Sequence, residues 1–242
     1  MQVRICGSNL VCPDEGWSWP DAEIEAQDVT FLSLSGQLWT VRALESTTPG
    51  DRLLPIRTAL AEARGDQESV LLKAVPLAHW RTTNRFCGHC GKPTERREEG
   101  FVLTCPACGQ EFWPRLTPAV IVLVHRGNKI LLARHKKSVQ GFFSCLAGFV
   151  EAGETLEQTV QREIAEEVGL SVDPPVYQSS QSWPFPSTLM LAFRARSPRG
   201  EPVPDGKEIL EARWFDRDSL PALPPPFSVA RRLVDDFFKE SV

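Results

Sequence analysis

Apolar and polar positions change rhythm along this chain, and each rhythm predicts a different element. From Thr117 onward β-branched apolar runs dominate: residues 119–125 and 129–133 read as strands, and Arg126-Gly127-Asn128 between them is a hairpin signal. Further strands are expected at 189–194 and 211–215. Between these pairs Leu156, Val160, Ile164 and Val168 recur every four residues, the stripe of a helix with one buried face. Thr155 with Gln158 three residues on is a capping-box start, and Gly169 is the stop. Near the end, Val229, Leu233, Val234, Phe237 and Phe238 predict a second amphipathic helix over 228–239, led in by the prolines of 221–226. Before residue 86 the rhythm is irregular. Residues 30–34 and 37–44 flank Gly36 as a hairpin, and 53–64 and 70–82 read as helices separated by Arg64-Gly65-Asp66. The stretch 86–116 is too short to own a core. The expected organisation is an α+β domain at 1–85, a cysteine segment at 86–116, and an α/β domain at 117–242.

Composition narrows the class. With 242 residues, 42% of them apolar and 24% charged, the chain is that of a globular protein able to bury a sizeable core. No apolar run approaches the roughly 20 residues that span a bilayer. MQVRICGSNLVCPDEG has no secretory core, and the final KESV matches no targeting tail, so a cytoplasmic location without membrane attachment is expected. The net charge of −4 lacks the basic excess of a dedicated nucleic-acid binder.

Four of the seven cysteines fall in two CxxC pairs, Cys87/Cys90 and Cys105/Cys108. In a reducing compartment that spacing reads as a tetrahedral zinc site. Four thiolates leave no open position, so this Zn²⁺ is expected to be structural, with His89 a bystander. The flanking charges are mixed, Arg96 and Arg97 being followed by Glu98 and Glu99. Cys6, Cys12 and Cys145 are expected as unpaired thiols.

The helix after Thr155 is unusual in its acids. At about 100° per residue, Glu163 and Glu167 share one ridge at the border of the apolar stripe, while Glu166 sits on the solvent-facing shoulder. Paired carboxylates repel, and burial at a core edge adds to the cost. A divalent cation removes that cost, and oxygen ligands suit Mg²⁺ or Mn²⁺. A solvated acidic helix is the plain alternative. Gly148 and Gly153 in the preceding loop permit tight turning and close approach, and Arg162 is placed to pair with Glu154 or Glu151.

Gly148, Glu154, Arg162, Glu163, Ile164, Glu166, Glu167, Gly169 and Leu170 match the Nudix box, G-x5-E-x7-R-E-U-x-E-E-x-G-U, at every position. The chain therefore resembles Nudix hydrolases from about Thr117 on. The resemblance implies an α/β/α sandwich and cleavage of nucleoside diphosphate linkages. It implies that Glu163 and Glu167 hold the catalytic dications, that Glu166 is a further ligand or the base, and that Glu154 and Arg162 orient the loop. Mg²⁺ or Mn²⁺ would neutralise the diphosphate and acidify water.

A second match is narrower. Ser180-Gln181-Ser182-Trp183-Pro184-Phe185-Pro186-Ser187-Thr188 is similar to the SQPWPFPxS motif of the NADH pyrophosphatase subfamily, departing at Ser182 and Thr188. Aromatic faces in a proline-stiffened loop suit a nucleotide. This resemblance implies substrate contacts at Gln181, Ser182, Trp183, Pro184, Phe185, Pro186, Ser187 and Thr188. It adds Phe149 as the stacking ring, Trp113 where the family carries a tyrosine, Ala230, and Arg57. Metal ligands are implied at Ala147, through its backbone oxygen, and at Glu208. The order of parts, a smaller N-terminal α+β domain, a zinc ribbon and a Nudix domain, is also that of the subfamily. Its reaction splits NAD(H) into nicotinamide mononucleotide and AMP. Members also remove NAD caps from RNA 5′ ends, and the subfamily is typically homodimeric. Two other functions stay open at this point: a Nudix hydrolase of another dinucleotide, such as ADP-ribose or a diadenosine polyphosphate, and a zinc-ribbon nucleic-acid binder whose Nudix fold is inactive.

Overall fold

The computed structural model describes all residues except 14–15, 19–22, 26, 98–99, 137, 139–140 and 241–242, so Glu98, Glu99 and the last two residues of KESV lie outside the described residues. The chain divides into two compact units. One comprises Met1–Leu116 with Trp183–Ser187, the other Thr117–Ser182 with Thr188–Val242.

In the first unit, β1 (Gln2–Cys6), β2 (Asn9–Cys12), β3 (Val29–Leu32), β4 (Leu38–Ala43) and β5 (Arg52–Pro55) form a sheet in the order β3-β4-β1-β2-β5, followed by α1 (Ile56–Glu62) and α2 (Asp66–Thr83). The hairpin expected around Gly36 is β3–β4, with Gly36 at φ 80°. The helix expected over 53–64 is shorter. Leu53 and Leu54 pair with Val11 and Leu10 in β5, and the helix begins only after Pro55. A residue before proline is pushed toward extended backbone, and the two leucines serve a strand as well as a helix. The cysteine segment folds as a small sheet, β6 (Glu95–Arg96), β7 (Leu103–Thr104) and β8 (Glu111–Phe112), in that order. It shares the core of this unit: Cys87, Cys105, Leu103 and Phe112 pack with α2, and the Trp80 indole N–H donates to the Phe112 carbonyl at 3.1 Å.

The second unit is built on β9 (Thr117–Arg126), β10 (Lys129–His135), β11 (Leu146–Phe149), β12 (Val176–Trp183), β13 (Thr188–Arg196) and β14 (Ile209–Phe215). The strand order is β12-β13-β9-β10-β14, with β11 also on β9; β13 runs parallel to β9, whereas β10 and β11 are antiparallel to it. Period-2 alternation assigns the two faces. Val120, Val122, Val124, Leu131 and Ala133 pack under α3 (Leu156–Val168), while Ile121, Leu123, Ile130 and Leu132 pack under α4 (Val229–Glu240). The result is an α/β/α sandwich, as expected. The 180–188 stretch, read as a loop, is mostly strand. β12 runs through Trp183, β13 resumes at Thr188, and only residues 184–187 form a turn. Two prolines so close together hid that strand from a reading by periodicity.

Candidate active site

Local chemistry sets α3. The Thr155 hydroxyl accepts from the Gln158 N–H at 3.2 Å, the Gln158 side chain accepts from the Thr155 N–H at 2.8 Å, and Gly169 closes the helix at φ 66°. With Val160, Ile164 and Val168 fully buried, the helix cannot rotate, and this fixes where its acids point. Glu166 is largely exposed, its side chain at 62%, whereas Glu163 is mostly covered and Glu167 is only 5% exposed.

Arg162 organises the loop before the helix. Its Nε and Nη2 donate to the two Glu154 oxygens at 2.6 and 2.9 Å, Nη2 also reaches the Phe149 carbonyl at 2.9 Å, and Nη1 reaches Glu163 at 2.9 Å and Glu166 at 3.1 Å. Of the two partners expected for Arg162, the structure selects Glu154. That carboxylate also accepts from the Glu151 N–H at 3.1 Å and from the Thr159 hydroxyl at 2.9 Å. Bonding to Arg162 and then to the Glu151 N–H holds Glu154 down at about 2, so it stays ionised.

Glu163 lies against the backbone of Gly148. A Cβ placed on Gly148 would meet the Glu163 carboxyl carbon at 1.8 Å and its oxygens at 1.9 and 2.3 Å. Of the two loop glycines, Gly153 serves a turn at φ 94°, while Gly148 is there for close approach. Glu167 is the most perturbed acid. Burial first, then the charges of Glu163, Glu208, Asp205 and Glu166, push its carboxyl up to about 8. Its Oε2 is shut off from solvent and has no hydrogen-bond partner. Burial also raises Glu163, against the opposing pull of Arg162. An orphaned buried carboxylate oxygen within reach of further acids is a donor set that fits a hard dication. Among the described residues only the four cysteines have all their donor atoms within 4.8 Å of one another; the carboxylates are spaced more widely, with Glu163 and Glu166 held on Arg162.

The other expected residues fall in several places. Ala147 lies on β11 beside Gly148, and Phe149, 56% exposed, ends that strand. Glu208 precedes β14, and its carboxylate stands 3.5 Å from His135 Nε2. Gln181 is buried and fully engaged: its amide donates to the Phe227 carbonyl at 2.8 Å and accepts from the Val229 N–H at 2.7 Å, which anchors the start of α4. Thr188 is buried, Ser182 is half-buried, and the Ala230 side chain packs into the α4 core. Within the first unit, Trp183 and Phe185 meet edge to face at 5.2 Å. The Arg57 guanidinium covers Phe185 at 4.0 Å and Trp183 at 5.7 Å. Pro184 is buried, Ser187 half-buried, Pro186 exposed, and Trp113 follows β8 with its ring open to solvent. Two residues went unnoticed in the sequence, Thr159 and Asp205. The spacing Glu154 to Thr159 could have marked the first; nothing local marked the second.

Comparison with known proteins supplies the setting. Residues 115–237 match the NUDIX domain and residues 82–112 the NADH pyrophosphatase zinc ribbon domain. The chain is 46% identical over 241 residues to the NAD-capped RNA hydrolase NudC of Stutzerimonas stutzeri (strain A1501), spanning 96% of this chain and 87% of that protein. It is 42% identical over 238 residues to the NAD-capped RNA hydrolase NudC of Pseudomonas aeruginosa (strain LESB58), spanning 95% and 86%. A crystal structure of a NUDIX hydrolase from Nitrosomonas europaea aligns with a TM-score of 0.52 at 28% identity, covering 64% of this chain and 88% of that one. The ribbon match and the clustered Sγ atoms of Cys87, Cys90, Cys105 and Cys108 together identify a structural zinc site.

Proposed function

The chain belongs to the Nudix hydrolase family, and from that premise we propose that it hydrolyses the diphosphate of NAD(H) to nicotinamide mononucleotide and AMP, and cleaves the same linkage in NAD-capped RNA. The carrying observation is Glu167, a carboxylate buried without a partner beside other acids, which the metal-dependent reaction accounts for and a purely structural helix does not. The relatives named as NAD-capped RNA hydrolases support the substrate.

On this reading Glu163, Glu167 and Glu208, the Ala147 backbone oxygen, and Glu166 as further ligand or base would hold the divalent ions. Bound Mg²⁺ or Mn²⁺ supplies neutralisation of the diphosphate oxygens and acidification of the attacking water. Arg162 and Glu154 keep Glu163 and the 148–154 loop in register with α3. Phe149 offers an exposed ring for a base, and the edge-to-face pair Trp183 and Phe185 with the Arg57 guanidinium offers an aromatic and cationic surface suited to a nucleotide. Gln181, with both polar ends engaged, serves by anchoring the start of α4. Water attacks one phosphorus, the bridging P–O bond breaks, and the departing phosphate carries away the electron pair. From capped RNA the same step releases nicotinamide mononucleotide and leaves a 5′-monophosphate.

No helix of the described residues is long and apolar enough to cross a membrane. We place the protein in the cytoplasm as a homodimer, with sedimentation velocity as the check on the second. The function is tested by kcat/KM for NADH, ADP-ribose and NAD-capped RNA, with products identified. A zinc- and Mn²⁺-loaded preparation that leaves both NADH and capped RNA intact would overturn the proposal.

A further inference from the structure

The segment that presents Glu208 is tied down by one side chain the box does not contain. Asp205 Oδ1 accepts from the backbone N–H of Ile209 at 2.9 Å, of Glu208 at 3.1 Å and of Lys207 at 3.2 Å, and Oδ2 takes a second approach from the Glu208 N–H at 3.2 Å. Its own N–H donates to the Glu167 carbonyl at 3.0 Å, and two residues earlier the Val203 N–H donates to the Val168 carbonyl at 2.9 Å. Beyond Glu208, the Glu208 carbonyl accepts from the Lys136 N–H at 2.8 Å. The turn itself closes through Gly206, at φ 70°, whose N–H donates to the Ile209 carbonyl at 3.1 Å.

Resting on the reading of Glu208 as a metal-holding acid, we propose that Asp205 is a positioning residue for the metal site, locking the Glu208 backbone onto the C-terminal end of α3 so that the Glu208 and Glu167 carboxylates address one ion. Glu208 is among the charges that act on Glu167, so the two carboxylates are within electrostatic reach of each other. Without Asp205 the N–H groups of 207–209 lose their acceptor, and this part of the segment is held by the Glu208–Lys136 bond and the Gly206 turn. Asp205 adds another negative charge to an already repulsive cluster, which is unfavourable for a residue whose role is only to fill a turn. What it contributes in return is one carboxylate that satisfies three donors at once, and those donors keep its own carboxyl below the usual range.

The geometry separates the acceptor role from the charge. Asn at 205 keeps Oδ1, the oxygen all three N–H groups use, and loses the charge; Ala loses both. The experiment titrates Mn²⁺ by EPR into the full-length, zinc-loaded chain without substrate. It compares the unmodified protein with Asp205→Ala, Asp205→Asn, Glu208→Gln and the Asp205→Ala/Glu208→Gln double variant, with amide exchange at 207–209 and Tm measured on each. Asp205→Ala and Glu208→Gln are expected to weaken Mn²⁺ binding about tenfold each. The double variant should be little worse than either single one, because Asp205 acts through Glu208. Asp205→Asn should stay within about threefold of the unmodified chain, and exchange at 207–209 should accelerate in the two variants that carry Asp205→Ala and in neither of the others. Unchanged Mn²⁺ affinity in Asp205→Ala, with Glu208→Gln impaired, overturns the positioning role and leaves the reading of Glu208 standing. Asp205→Asn as weak as Asp205→Ala also overturns it, since charge would then be the cause. Glu208→Gln without effect removes the ligand itself, and the proposal falls with it. Should Asp205→Ala not fold, Asp205→Ser, with a single acceptor, takes its place under the same criteria.

Discussion

Gly148→Ala isolates the position of one carboxylate from the stability of the fold. The new Cβ would stand 1.8 Å from the Glu163 carboxyl carbon, against the 3.0 Å below which real Cβ contacts are essentially not found, so that carbon must retreat by about 1.2 Å or more. The backbone of Gly148 has little freedom to yield, because β11 is paired to β9 with Gly148 opposite Val120. The carboxylate is the end of a flexible side chain, so it moves instead, breaking the 2.9 Å contact with Arg162 while Arg162 keeps Glu154 and the Phe149 carbonyl. A charge-assisted hydrogen bond is worth roughly 1.5–3 kcal/mol, and part of it is recovered by water or by a shifted geometry. The melting temperature should therefore fall by no more than about 4–8 °C. Catalysis is far more sensitive, since a misplacement of about 1 Å costs on the order of a hundredfold, or roughly 2.7 kcal/mol of transition-state stabilisation. The assay is NADH hydrolysis at saturating Mn²⁺ with AMP quantified by chromatography, alongside thermal unfolding. Activity within threefold of the unmodified chain would refute the argument, because Glu163 would then not need the place it occupies.

Glu167→Gln should lower kcat on the order of a hundredfold or more while leaving Tm in the absence of dications unchanged or higher, as measured by steady-state kinetics and calorimetry; a lower Tm would refute the claim that this carboxylate is a burden without an ion. The pH dependence follows in sign. Burial and the neighbouring acids push Glu167 from an ordinary glutamate's 4.5 up to about 8 in the fold, so the folded state holds the extra proton and, without dications, stability from this group falls as pH rises from about 4.5 to 8. Ion binding must displace that proton, so Mn²⁺ affinity by calorimetry should strengthen between pH 6 and 8, with proton release; a pH-independent affinity would contradict it. Elemental analysis should find one zinc per unmodified chain and none in Cys105→Ser, whose Tm should be markedly lower, since Cys105 is buried in the core shared with α2; full zinc occupancy in the variant would count against the four-thiolate site.

What the sequence determined by itself was whatever repeats at short range. The stripe Leu156, Val160, Ile164 and Val168 with its Thr155 cap defined α3 and the side of the helix where Glu163 and Glu167 stand, and the CxxC spacing defined the zinc ligands. The β-branched runs likewise placed β9 and β10, and the shorter strand candidates at 189–194 and 211–215 fell within β13 and β14. Tertiary structure decided matters that depend on partners distant along the chain. Leu53 and Leu54 became strand because β2 offered them an edge to pair with. The 180–183 stretch joined the sheet although prolines follow it closely. Gly148 proved necessary because Glu163, fifteen positions later, folds back over it. Asp205 entered the site only through its bonds to 207–209 and to the end of α3. Local periodicity reports which face of an element is buried, whereas the cost of a buried charge and the partners that relieve it exist only once separate elements have met.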